Sequence, residues 1–92
     1  MGATGLSRRD RAVLDFERGW WRSASTETKA EAIARELSMS SSRYYQLLGA
    51  LMESDAALAY DPLVVRRLRR RRRERRRAAL LGNPAPRRSD GR

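Results

Sequence analysis

The sequence predicts an all-α protein, a helix-turn-helix bundle of about four to five helices with a long, projecting, arginine-rich helix at its C-terminal end. Apolar residues recur at helical spacing, and no stretch alternates apolar and polar residues as a half-buried strand does. Several segments begin with a serine, threonine or aspartate that can cap a helix. Between Pro62 and Gly82 nothing breaks a helix.

The first helix is predicted over residues 7–22. Ser7 followed by Asp10 forms a capping box, which satisfies backbone donors at the start of the helix. The apolar residues of one helical arc are Leu6, Val13, Phe16 and Trp20, with Leu14 and Trp21 at the edge. Because this arc faces the core, we expect Trp20 to be a core residue and Trp21 to be half-buried. Stacking of this pair on unpaired bases is the alternative.

The second and third helices are predicted on either side of a short turn. Thr28 and Glu31 form another capping box, and the helix that they open runs to Leu37. Residues 38–40 interrupt it, and the last of these serines can cap the third helix. The core-facing residues of the third helix are Tyr44, Leu47, Leu48 and Leu51.

A short fourth helix and a long fifth helix are predicted next. Ser54 can cap the fourth, and Asp61 can cap the fifth with Pro62 at its first position. Three apolar residues can dock the start of the fifth helix on helices 1 and 3, namely Val64, Val65 and Leu68. No further apolar residue occurs before Ala78, so we expect the helix to leave the domain surface after Leu68. Repulsion of about 0.2–0.5 kcal/mol per like-charged pair should fray it until phosphates bind.

These elements predict four regions in the chain. Residues 1–6 form a flexible N-terminus, and residues 7–68 form the helix-turn-helix domain. Residues 69–82 are an arginine-rich helical extension, and residues 83–92 are disordered by composition.

The distribution of charge is typical of a protein that binds a polyanion. The net charge is +10. Residues 1–61 carry eight basic and nine acidic groups, whereas residues 62–92 carry thirteen arginines and two acidic groups. A nearly neutral body with a strongly basic extension favours nucleic acid as the partner.

Composition also limits the function classes. Cysteine and histidine are absent, which excludes disulfides and histidine-based proton transfer, and no Gly-rich phosphate loop is present. We therefore expect no enzyme, metal or cofactor. No apolar run is long enough for a membrane span and no secretory signal is evident, so a cytoplasmic, nucleoid-associated protein is expected. The absence of a heptad pattern favours a monomer in isolation.

Residues 28–51 carry the spacing of a helix-turn-helix unit. Ala34 provides the small residue where the two helices cross, and Ser38 occupies the usual glycine position of the turn. The apolar anchors stand at Ile33, Leu37, Met39, Tyr44 and Leu47. This segment resembles the bacterial helix-turn-helix superfamily, which implies DNA binding.

A narrower resemblance covers residues 6–77. Its motifs are a first helix that ends in WW, then SxxRYYQLL, then ALAYDPLVVRRLRR. Together they are similar to a small actinobacterial family of unknown function. That resemblance implies a DNA-binding type of fold and brings no established activity.

The function predicted is double-stranded DNA binding, as a transcription regulator or a nucleoid-associated protein. The outward face of the third helix would contact bases through Ser41, Ser42, Arg43, Tyr45 and Gln46, because arginine recognises guanine and glutamine recognises adenine. Contacts to phosphates would come from Lys29, Arg66, Arg67, Arg69, Arg70, Arg71, Arg72, Arg73, Arg75, Arg76 and Arg77.

Other interpretations stay open. The chain could bind structured RNA or the ribosome, or it could be an adaptor that contacts RNA polymerase or a sigma factor. The third-helix face could also be an ordinary solvated surface, and the arginine run an unstructured solubilising tail.

Overall fold

The computed structural model describes residues 5–81, which form five helices and no strand. The helices are α1 (Arg8–Trp21), α2 (Lys29–Leu37), α3 (Ser41–Leu51), α4 (Asp55–Tyr60) and α5 (Pro62–Leu80). The predicted all-α bundle with a long C-terminal helix is therefore confirmed. Of the flexible N-terminus expected over residues 1–6, residues 1–4 lie outside the described residues, as does the disordered tail expected over 83–92, whereas Leu6 is partly buried against the core.

Each helix begins one residue after the side chain that was predicted to cap it. Ser7 accepts a hydrogen bond from the backbone of Asp10, and Thr28 accepts one from the backbone of Glu31, in two complete capping boxes. The caps of the other three helices are Ser40, Ser54 and Asp61. These contacts are local in sequence, which is why short motifs predict them well.

The turn between α2 and α3 has the backbone geometry expected at the glycine position of a helix-turn-helix unit. Ser38 adopts a left-handed conformation with φ 55° and ψ 43°. The role predicted for Ala34 is wrong, because Ala34 is exposed. Ala32 and Ile33 are buried instead, at 1% and 0% exposure. At 100° per residue, Ala34 lies beyond the arc of α2 that faces α1 and α3.

The core lies where α1, α2, α3, α4 and the start of α5 meet. Phe16 packs against the edge of Tyr44, with ring centroids 5.6 Å apart. Trp20 stacks on Phe16 at 6.0 Å but is only partly buried, so it borders the core and is not inside it as predicted. Leu47 is likewise only partly buried. The fully or nearly buried apolar residues are Val13, Leu14, Phe16, Ala32, Ile33, Tyr44, Leu48, Leu51, Met52, Ala57, Val64, Val65 and Leu68.

Helix α5 packs mainly against α1 and α4 through its first two turns. The predicted docking on helix 1 is confirmed, and α4 is a further neighbour that was not predicted. Contact with the end of α3 comes later, where Arg69 Nε donates to the Met52 carbonyl at 2.7 Å and Arg72 Nη2 donates to Glu53 at 2.6 Å. The helix therefore stays attached to the body about one turn beyond Leu68. It continues unbroken to Leu80.

Candidate nucleic-acid interface

The exposed face of α3 carries the side chains that were predicted to contact bases. Ser42, Arg43, Tyr45 and Gln46 are exposed, and Ser41 is partly buried. This face also includes Gly49, where an added Cβ would meet nothing within 4 Å. The surface is thus polar and free of bulk near its C-terminal end, as a helix that approaches a groove wall requires.

One groove brings a predicted base contact and three predicted phosphate contacts together. We call it the α3–α5 groove. It has a volume of about 360 Å³ and is lined by Glu17, Lys29, Tyr45, Leu48, Met52, Leu68, Arg71 and Arg75. The aromatic ring of Tyr45 is half exposed, and the guanidinium groups of Arg71 and Arg75 are exposed. The groove can therefore hold an anion beside a hydrogen-bonding aromatic group.

The opposite edge of α3 holds Arg43. There Arg43 and Arg9 line a depression of about 410 Å³ beside the α2–α3 turn. Arg9 was not among the predicted phosphate contacts, because it lies on α1, far from α3 in sequence. The face of α3 is thus bordered by arginines on both sides.

Glu17 is the residue of this region that sequence reasoning missed. Its side chain is 2% exposed and accepts hydrogen bonds from Lys29 Nζ at 2.8 Å, from Trp21 Nε1 at 3.0 Å and from the Tyr44 hydroxyl. A signal was available, because Glu17 falls inside the apolar arc of the first helix. A charged residue in such an arc usually has buried partners.

The charge of Glu17 is stabilised by these partners. Burial alone raises the pKa of this carboxyl, but the hydrogen bonds from Lys29, Tyr44 and Trp21, together with the charge of Lys29, lower it below the ordinary value of 4.5. Burial first, and then the hydrogen bond to Glu17, raises the pKa of Tyr44 above its usual range. Tyr44 therefore stays a neutral donor.

Lys29 has a structural role that was not predicted. Its ammonium group is bonded to Glu17 and lies 5.4 Å and 5.3 Å from the ring centroids of Tyr44 and Tyr45. Only 24% of the side chain is exposed. Phosphate contact by Lys29 stays a prediction, but such a contact would compete with the bond to Glu17.

Three arginines of α5 are engaged with the protein body. Arg69 and Arg72 bind the end of α3, and the guanidinium of Arg67 lies 4.2 Å from the ring centroid of Trp21. The hydrogen bond and the charge of Arg72 lower the pKa of Glu53, so this carboxylate stays ionised beside α5. We call α5 (Pro62–Leu80) the arm. These contacts fix the direction of α5 relative to α3.

The other arginines of α5 lie mostly on two sides of the helix. Within residues 5–81 no side-chain hydrogen bond or ion pair is made by Arg66, Arg70, Arg71, Arg73, Arg75, Arg76 or Arg77. At 100° per residue, Arg71 and Arg75 share the side of the α3–α5 groove. A second stripe lies about 150° away around the axis and contains Arg66, Arg70, Arg73 and Arg77.

Comparison with known families adds one finding. The family described as "Protein of unknown function (DUF3263)" matches residues 5–79. The chain belongs to this family. The match includes the whole arginine run, so the arm is part of the DUF3263 domain and not an appended tail. Neither the curated proteins nor the solved structures contain a significant match to this DUF3263 chain.

Membrane-spanning helices and clusters of metal ligands are both absent from the part of the DUF3263 chain that the structure describes. Over residues 5–81, none of the helices combines the length and apolar character that crossing a membrane requires. The same residues contain no cluster of three or more acidic, histidine or cysteine side chains that could hold a metal ion.

Proposed function

We propose that this DUF3263 protein binds double-stranded DNA, with α3 in the major groove and the arginines of α5 on the phosphates. The observation that carries the proposal is the attachment of the arm to α3. Arg69 bonds the Met52 carbonyl, and Arg72 bonds Glu53, at the C-terminal end of α3. The face proposed to contact bases and the helix proposed to contact phosphates are thereby held in a defined relative orientation, which supports recognition of a duplex.

Base contacts are assigned to the middle of the exposed α3 face. The Arg43 guanidinium can donate two hydrogen bonds to guanine, and the Gln46 amide can pair with adenine. Ser41, Ser42 and Tyr45 add hydroxyl groups around them. The lack of a side chain at Gly49 supports close approach of this face to DNA.

Phosphate contacts are assigned first to Arg71 and Arg75, which share a groove with Tyr45. Phosphate in this position would relieve the like-charge repulsion along α5. Association with the nucleoid, and a role in transcription or in DNA architecture, follow from this proposal.

The test of the arm uses two variants that lose the same charge. Arg71→Gln/Arg75→Gln alters the groove side of α5, and Arg73→Gln/Arg77→Gln alters the opposite stripe at the same four-residue spacing. Affinity for a fluorescent duplex of about 20 base pairs is measured by anisotropy across a salt series. We expect the first variant to flatten the salt slope by about 1.8, which is about 0.9 for each lost contact. The second variant should change the salt slope much less. Equal losses would show that the arm binds in no defined orientation.

Base recognition is tested with Arg43→Ala and Gln46→Ala. Selection from a random duplex library should give wild-type protein a preferred site, and each variant should lose preference at one position by about 1–3 kcal/mol. Binding to random duplex at low salt should persist in both variants, because phosphate contacts carry it. If both variants kept the base preference of the wild type, α3 would not be the element that recognises bases.

Competition between duplex DNA and a structured RNA hairpin at equal salt tests the choice of nucleic acid. We expect duplex to win, since an α-helix enters the major groove of B-DNA but not the deep, narrow groove of A-form RNA. Tighter binding to the hairpin would overturn the proposal in favour of RNA. Genome-wide occupancy then separates the two roles, since few sharp peaks indicate a regulator and many indicate a nucleoid protein.

A further inference from the structure

A second groove lies between the end of α1 and the first two turns of α5. We call it the α1–α5 groove. Its volume is about 560 Å³, and it is lined by Arg18, Trp21, Arg22, Leu63, Val64, Arg66, Arg67 and Arg70. None of these residues lines the α3–α5 groove. The proposed contacts of DNA with α3, Arg71 and Arg75 therefore leave it unused.

The floor of the α1–α5 groove is apolar. Leu63 is 65% exposed, although it stands on the first turn of a helix that is otherwise well packed there. The indole N–H of Trp21 is already bonded to Glu17, so this ring offers its carbon atoms and no donor. An apolar side chain from a ligand could cover both residues and remove them from water.

The wall of this groove is cationic. It contains five arginines, of which Arg18 is paired with Asp61 at 3.3 Å. The other four have no acidic partner among residues 5–81. Guanidinium groups bind carboxylates in a bidentate manner, and these bonds strengthen where an apolar group excludes water.

The position of the groove separates it from the DNA surface proposed above. Arg66 and Arg70 lie on the stripe of α5 that is about 150° from Arg71 and Arg75. A duplex held against Arg71 and Arg75 would leave Arg66 and Arg70 facing away. Both surfaces could then be occupied at the same time.

We propose that the α1–α5 groove binds an acidic peptide segment of a partner protein, with a leucine-like side chain over Leu63 and Trp21 and carboxylates on the surrounding arginines. A single-stranded nucleic acid fits less well, because base stacking needs an open aromatic face. The guanidinium of Arg67 already lies 4.2 Å from the ring centroid of Trp21, so this residue offers the groove the edge of its ring and not an open face, beside the exposed aliphatic side chain of Leu63. Amphipathic acidic segments match both the floor and the wall.

The test uses the full chain and two fluorescein-labelled peptides of about twelve residues. Both have the same acidic residues, but one carries leucines where the other carries serines. At about 150 mM salt, screening limits nonspecific attraction, so anisotropy should show the leucine peptide binding about ten-fold more tightly. Leu63→Ser should weaken the leucine peptide about five-fold and leave the serine peptide unchanged.

A matched control is available on the same helix. Leu80 is 82% exposed and lies outside the groove, so Leu80→Ser should leave both peptides unaffected. Because Leu63 is largely exposed, Leu63→Ser should keep the helical circular dichroism of the wild type. Arg66→Gln/Arg70→Gln should weaken both peptides.

Equal binding of the two peptides, or equal effects of Leu63→Ser and Leu80→Ser, would overturn the proposal. The proposal would also be overturned if Leu63→Ser lowered the affinity for a short single-stranded oligonucleotide and left the affinity for the leucine peptide unchanged. Duplex binding is measured in parallel and should be unchanged by Leu63→Ser. A protein that binds the peptide but not the duplex would refute the DNA proposal alone.

Discussion

Replacing Glu17 with glutamine should cost this small domain a large part of its stability. The carboxylate joins three helices, since its partners are Trp21 on α1, Lys29 on α2 and Tyr44 on α3. All three partners are donors. Glutamine offers one acceptor oxygen and one NH₂ group, so if the oxygen serves Lys29 and Tyr44 the NH₂ group must face the indole N–H. One buried donor then lacks an acceptor, and the ammonium of Lys29 lacks its counter-charge.

The size of the loss follows from the exposure of the two partners. Removing one member of a fully buried ion pair costs about 3–5 kcal/mol. Lys29 is 24% exposed, so water can solvate part of its charge, and two hydrogen bonds can survive in the variant. We therefore expect Glu17→Gln to lower the free energy of unfolding by about 2–3 kcal/mol. In a domain of this size that corresponds to a fall in Tm of about 10–20 °C.

The assay is a double-mutant cycle followed by circular dichroism during urea and thermal unfolding. Glu17→Gln, Lys29→Met and the double variant are compared with the wild type. Because the double variant leaves neither charge unpaired, it should be more stable than the sum of the single losses predicts, by at least about 1 kcal/mol. A Glu17→Gln protein within about 0.5 kcal/mol of the wild type would refute the assignment of this carboxylate as a stabilising centre.

Three further predictions concern pH and backbone positions. The folded pKa of Glu17 lies below 4.5, so its contribution to the free energy of unfolding is present above pH 4.5 and is lost as pH falls through the folded pKa. Urea unfolding at a series of acidic pH values should therefore show a steeper loss of stability for the wild type than for Glu17→Gln. Gly19→Ala and Gly49→Ala meet no atom within 4 Å, and each should raise the free energy of unfolding by about 0.5–1 kcal/mol. Only Gly49→Ala should weaken duplex binding. If Gly19→Ala and Gly49→Ala bind duplex DNA equally well, the C-terminal part of α3 does not contact DNA. Ser38→Gly should stabilise the fold by about 0.5–1 kcal/mol, because Ser38 has φ 55°, and an unchanged urea midpoint would contradict this.

The starts of the helices could be predicted because capping depends on residues within one turn. Thr28 and Glu31, or Asp61 and Pro62, need no tertiary information to specify where a helix begins. The direction of α5 could not be predicted in this way. It depends on the Met52 carbonyl and Glu53 lying beside Arg69 and Arg72, and those pairs are seventeen and nineteen residues apart.

The incorrect predictions for Ala34 and Trp20 have the same physical origin. Ala34 was assigned to the helix crossing from its spacing alone, but the angle at which α2 meets its neighbours buries Ala32 in its place. Trp20 was assigned to the core because it lies in the apolar arc of helix 1, but at the end of α1 it is only partly buried. Phosphate contact by Lys29 stays a prediction, but the buried carboxylate that binds this residue was not predicted. Periodicity identifies the apolar side of a helix and leaves its neighbours undetermined.

The attachment of α5 to one end of α3 also gives the molecule a polarity. Beyond Arg72, its last contact with the body, the helix continues to Leu80 for about 12 Å, which matches the rise of three to four base pairs. A monomer that places α3 on its site would therefore cover DNA further on one side than on the other. Its binding sites would be directional, without the two-fold symmetry that dimeric helix-turn-helix proteins impose on their operators. Inverting such a site in a promoter would point the arm towards different flanking DNA.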